Sequence, residues 1–79
     1  MKIIGIDPGY AISGFGVIDY IGNSFKTIDY GVVRTPSQMD MPNRLKILYD
    51  SYIELFNMHK PNAVAIEELF FNTNSKTII

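Results

Sequence analysis

The chain opens on a short β-branched run, Lys2-Ile3-Ile4-Gly5-Ile6-Asp7, which ends on a carboxylate and meets Pro8-Gly9. A run of this length closed by a Pro-Gly pair predicts a strand that stops there. Because it is nearly all apolar, it predicts a central strand covered on both faces. From about Gly14 to Tyr20, Phe15, Val17 and Asp19 alternate with Gly16, Ile18 and Tyr20, which predicts a second strand. Ile21-Gly22-Asn23-Ser24 carries turn chemistry, since Gly and Asn tolerate positive φ. A third strand is expected from about Phe25 to Arg34. Three such segments with short connections predict an antiparallel meander.

Thr35 to Met41 reads as a loop leading to a helix. Pro42 fits a first helical turn, where its missing N–H costs nothing, and Asp40 is placed to cap it. Leu45, Leu48, Tyr49, Tyr52, Ile53 and Phe56 then recur at helical spacing and make one face apolar. Tyr49, Tyr52 and Phe56 are read as core or interface, and Arg44 and Lys46 as a solvated face. His59 and Lys60 suit the negative end of the helix dipole, and Pro61 ends the helix. Asn62 to Glu67 is again strand-like and apolar, and again finishes on a carboxylate. After Glu68-Leu69-Phe70-Phe71, the polar stretch Asn72-Thr73-Asn74-Ser75 reads as a loop capping a new helix from about Ser75. One turn of helix has no stability of its own, so the end at Ile79 reads as a truncation.

Composition narrows the classes. The 79 residues are 47% hydrophobic and 13% aromatic, which excludes a disordered tail. The absence of cysteine excludes a disulfide-stapled miniprotein and a thiolate metal site. One domain is the most this length holds. A chain so short buries only about 60% of its unfolded surface, so a fragment, an obligate dimer and a small domain are all open. Seven Lys and Arg against eight Asp and Glu give a net charge of −1, without the basic excess usual in nucleic-acid binders. The average still conceals a separation of Asp7, Glu67 and Glu68 from Arg34, Arg44, Lys46 and Lys76. No apolar run approaches the roughly 18–20 residues of a membrane span, and the start turns polar too early for a signal peptide. A cytoplasmic protein is expected.

The β-β-β-α-β order matters for two acids. A strand–helix–strand crossover makes the last strand parallel to an earlier one. Beside the first strand, it would bring Asp7 and Glu67 to like ends of neighbours about 4.8 Å apart. Two such carboxylates repel when desolvated, and a hard cation such as Mg²⁺ relieves that with oxygen ligands. The bland reading is that each acid is a solvated strand end or a helix cap. Glu68 competes with Glu67, because consecutive strand residues face opposite sides.

Gly5-Ile6-Asp7-Pro8-Gly9, then Ser13-Gly14-Phe15-Gly16-Val17-Ile18, then Ala65-Ile66-Glu67 with Phe70 and Asn74, resemble the amino-terminal half of the RuvC family of bacterial Holliday junction resolvases. Arg34-Thr35, Pro42 and Arg44-Leu45-Lys46 also fall at matching places, and the resemblance spans Met1 to Ile79. It implies an α/β, ribonuclease-H-like fold: a mixed sheet of an antiparallel three-strand meander and a parallel fourth strand, with a helix packed on it. Residues 1–79 would be a single incomplete nuclease domain. It further implies a homodimeric endonuclease that cuts four-way DNA junctions in recombination and repair, with branch-migration helicase partners. Asp7 and Glu67 would be catalytic, metal-binding acids, served by two Mg²⁺ per complete subunit with Mn²⁺ as a substitute. Two metals about 3.5–4 Å apart align an attacking water and stabilise the leaving oxygen. Phe70 and Asn74 would face the DNA, Phe70 by stacking on an unpaired base. Without the resemblance, burial tendencies favour core or dimer packing for both Phe70 and Phe71, and for Phe71 that reading stands.

The chain departs from the family pattern in ending before the late helix that supplies two further aspartates and before the basic carboxy-terminal part. It should therefore hold at most half a metal site and be inactive alone. Two rivals differ in class. Sugar-kinase and actin-like ATPases also carry a Gly-x-Asp-x-Gly loop after a strand, but need a second phosphate loop and an adenosine motif. A non-catalytic DNA-binding remnant would show no metal dependence.

Overall fold

The computed structural model describes residues 1–67. Three extended segments form first: β1 (Lys2–Asp7), β2 (Ile12–Ile21) and β3 (Ser24–Arg34). Helix α1 (Met41–His59) follows, and β4 (Ala63–Ile66) closes the order. The expected meander and crossover are present, with β2 starting two residues earlier than its alternation indicates and β4 a residue shorter at each end. The four strands form one sheet in the order β3-β2-β1-β4. β1 runs antiparallel to β2 and parallel to β4.

Local chemistry explains the boundaries. The β2–β3 hairpin pairs Ile21 with Ser24, leaving Gly22-Asn23 as a two-residue loop. Gly22 sits at φ 60°, which glycine adopts without strain. A β-bulge interrupts the β2–β3 register between Val17 and Ile18. At the start of α1, Asp40 is extended and its carboxylate accepts from the Asn43 amide N–H at 3.4 Å and from Asn43 Nδ2 at 2.7 Å. Pro42 lies in the first turn, as its missing donor allows. Lys60 ends the helix in the left-handed region at φ 47°, its N–H donating to the Phe56 carbonyl at 2.7 Å.

Asn62 then pins the parallel pair at its open end. Its side-chain oxygen accepts from the Lys2 N–H, and its own N–H donates to the Lys2 carbonyl, both at 2.8 Å. With that anchor, Ile3 pairs with Ala63, Ile4 with Val64, Gly5 with Ala65 and Ile6 with Ile66.

The core is small and one-sided. Ile4, Ile6, Val17 and Leu55 are buried, and Phe15, Tyr52 and Phe56 pack against them. Cross-strand pairing joins Ile4 to Val17 and Ile6 to Phe15, so these side chains share the face covered by α1. The opposite face carries Ile3, Gly5 and Asp7 of β1. The expectation that β1 is covered on both faces is therefore corrected: among the described residues only the α1 face is covered, because one helix packs on the sheet. The helical stripe is rotated too. Leu55, outside the expected set, is the buried one, while Leu45, Tyr49 and Ile53 stay exposed and line a groove with Pro8, Tyr10 and Ile66. Tyr49 is thus not core among the described residues.

Candidate functional site

Asp7 is the last residue of β1 and stands opposite Gly14 of β2. On its other side, the ladder to β4 ends at the Ile6–Ile66 pair, closed by the Glu67 N–H donating to the Ile6 carbonyl at 3.1 Å. Asp7 and Glu67 are the residues that directly follow this last pair on their two chains. In a parallel pair, opposed residues share a face. Ile6 and Ile66 line a groove with α1 residues, and alternation along β1 puts Asp7 on the other face. Glu68, the competing acid, lies outside the described residues. Both placed acids are exposed.

The ground beside Asp7 is kept clear. A Cβ added at Gly14 would stand 3.8 Å from the Asp7 Cβ, so the glycine leaves a side-chain-sized space next to the carboxylate. Asp7 and Glu67 both offer hard oxygen donors of the kind that Mg²⁺ takes. That ion is usually held by one or two carboxylates, with waters and substrate phosphates completing its octahedron. Among the described residues no group of three or more His, Cys, Asp or Glu lies together where it could hold a metal.

The loop after Asp7 is held tightly. A Cβ at Gly9 would fall 2.2 Å from the Ile12 carbonyl oxygen, so only glycine fits that approach. Thr35 Oγ1 donates to the Tyr10 carbonyl at 2.5 Å, and the Thr35 N–H donates to the Ala11 carbonyl at 3.0 Å. Arg44 Nε donates in turn to Thr35 Oγ1 at 2.9 Å. Arg44 therefore braces this loop, where a solvated role was expected. Lys46 does lie on the solvent side, paired with Asp50 at 2.6 Å. His59 is a helix-end residue as expected, and its ring also meets the Asp29 carboxylate at 3.1 Å across to β3. Phe70, Phe71, Asn74 and the helix expected from Ser75 lie outside the described residues.

The family profile described as crossover junction endodeoxyribonuclease RuvC matches residues 3–79. The chain belongs to the RuvC family. A RuvC from Alkaliphilus metalliredigens strain QYMF is 57% identical over 77 residues, covering 98% of this chain and 47% of the relative. One from Alkaliphilus oremlandii strain OhILAs is 54% identical over the whole chain and 48% of its own length. Both relatives are named crossover junction endodeoxyribonuclease. Among solved structures, T. thermophilus RuvC in complex with Holliday junction substrate superposes with a TM-score of 0.83 at 31% identity, over 96% of this chain and 47% of that one. The mixed sheet with its packed helix is thus the ribonuclease-H-like fold of RuvC. The chain spans about half the length of the curated relatives it matches. The sugar-kinase and actin-like alternative gives way to this membership. Among the described residues, no helix is long and apolar enough to cross a membrane.

Proposed function

We propose that residues 1–79 are the amino-terminal portion of a single ribonuclease-H-like nuclease domain whose complete protein resolves four-way DNA junctions by Mg²⁺-dependent phosphodiester hydrolysis. One observation supports this most: Asp7 and Glu67 each directly follow the Ile6–Ile66 pair that ends the parallel β1–β4 ladder, an arrangement that would bring two carboxylates side by side. In this reading both are catalytic, metal-binding acids. Asp7 ends a strand that is paired on both sides, and it is the better bridge between two ions. Glu67 supplies the second oxygen ligand from the sheet edge. Bound Mg²⁺ supplies positive charge for activating water and for the oxygens of the cleaved phosphodiester. The exposure of both acids leaves a DNA backbone room to approach them.

Phe70 and Asn74 are assigned to the DNA-facing loop, Phe70 to stack on an unpaired base for about 1–3 kcal/mol. We assign a homodimeric, cytoplasmic enzyme acting with branch-migration helicase proteins, with Mn²⁺ as a substitute metal. Residues 1–79 alone carry two of the required acids and do not cut.

The test is junction cleavage by the complete protein that carries residues 1–79. Asp7→Asn and Glu67→Gln abolish cutting and leave junction binding intact. Joint loss of cutting and binding would make these acids structural. Cutting that is indifferent to Mg²⁺ and Mn²⁺ would refute the metal reading.

A further inference from the structure

Ser13 is a polar residue where the core has almost none: it is only 1% exposed, beside the buried apolar cluster. Its hydroxyl donates to the main-chain carbonyl of Asp7 at 3.2 Å. Tyr52 of α1 reaches the same hydroxyl with its own. A serine hydroxyl has one proton. Since Ser13 gives its proton to Asp7, Tyr52 donates to Ser13. The result is a relay of fixed direction, from Tyr52 to Ser13 to the Asp7 carbonyl, joining the helix to the end of the strand that carries the acid.

Asp7 needs such an anchor. Asp7 is the last paired residue of β1, opposite Gly14, and Pro8 has no N–H to continue the pairing. The peptide that Ser13 grips is the one joining Asp7 to Pro8. Rotation about the Asp7 Cα–C bond would swing that carbonyl away from Ser13. Holding it therefore fixes the Asp7 main chain and restricts its side-chain rotamers, which depend on the backbone. The Tyr52 hydroxyl prevents Ser13 from turning to another rotamer.

We propose that Ser13, held by Tyr52, is a positioning residue for the Asp7 carboxylate. It touches no substrate and acts only through Asp7. The catalytic part of this assignment rests on the nuclease reading above, whereas the conformational part does not.

The experiment uses the complete protein and four variants: Ser13→Ala, Ser13→Thr, Tyr52→Phe and the double variant Ser13→Ala/Tyr52→Phe. Asp7 side-chain rotamers are read from three-bond carbon and nitrogen couplings by NMR, and cleavage is read as kcat on a four-way junction. Wild type and Ser13→Thr hold one Asp7 rotamer. Ser13→Ala averages it and lowers kcat about tenfold, with junction Kd unchanged. Tyr52→Phe lies between. The double variant separates positioning from stability. Removing both hydroxyls takes away the Tyr52 hydroxyl that Ser13→Ala leaves unpaired, so Tm recovers part of that variant's loss. The Asp7 carbonyl stays without its donor, however, so Asp7 stays averaged and kcat stays low. Recovery of kcat along with Tm in the double variant would overturn the proposal, as would a single Asp7 rotamer in Ser13→Ala. A wild type that holds the rotamer but never cuts would refute the nuclease reading while leaving the conformational assignment standing.

Discussion

Gly9→Ala is the substitution to which the loop behind Asp7 is most sensitive. Gly9 has no positive φ to protect, since Gly22 is the only glycine among the described residues in that region. The objection is space. A Cβ there would lie 2.2 Å from the Ile12 carbonyl oxygen and 3.3 Å from its carbon, whereas real Cβ atoms stay beyond 3.0 Å. The obstacle is main chain, which cannot rotate aside as a side-chain tip does. It also belongs to the first residue of β2, already paired with Arg34. Forcing such a shift costs roughly 1–3 kcal/mol, and the lower entropy of the unfolded alanine chain returns about 0.4–1 kcal/mol. The net loss, about 1.3 kcal/mol at the middle of these ranges, lowers Tm by roughly 5–10 °C in a domain of this size. Gly16→Ala is the matched control, because a Cβ there meets nothing within 4 Å. It should be neutral or stabilising by up to about 1 kcal/mol. Urea and thermal unfolding followed by circular dichroism measure both. Equal stability of Gly9→Ala and Gly16→Ala would refute the close-approach argument.

Other substitutions probe the remaining supports. Ile4→Ala removes a fully buried side chain and should cost about 2–5 kcal/mol in urea unfolding. Asn62→Ala removes the acceptor for the Lys2 N–H, so amide exchange should accelerate along Ala63–Ile66 before it does in β2. Asp40→Ala removes the α1 cap and should lower Tm at neutral pH. The Asn43 side-chain amide holds the Asp40 carboxyl below its ordinary value of 3.8. A lowered folded-state value stabilises above the unfolded one and is lost as pH falls through the folded one. The Tm gap between wild type and Asp40→Ala should therefore close as the pH falls below about 3.8, and a gap independent of pH would refute the charged cap.

What could be read from the chain divides along a physical line. Alternation, Pro-Gly punctuation and the Asp40-Pro42 start depend on neighbours in sequence, and those elements lie where their patterns put them. The parallel pairing of β4 beside β1, with Asp7 and Glu67 following its last pair, needed only a crossover to be foreseen. The Tyr52–Ser13 link and the His59–Asp29 pair span 39 and 30 residues. They depend on how far α1 is rotated about its axis, which a broad apolar face leaves undetermined. That rotation also decides that Leu55 is buried and Tyr49 is not. The bulge after Val17 shifts β3 against β2 by a residue, a change that alternation alone does not reveal.

The account turns on whether Asp7 and Glu67 serve one cation. Titrating Mn²⁺ into isotope-labelled protein and following paramagnetic broadening of amide signals tests this directly. The prediction is broadening centred jointly on residues 7, 14 and 67 and lost in Asp7→Asn. Broadening around only one of the two acids, or a pattern unchanged in Asp7→Asn, would contradict it.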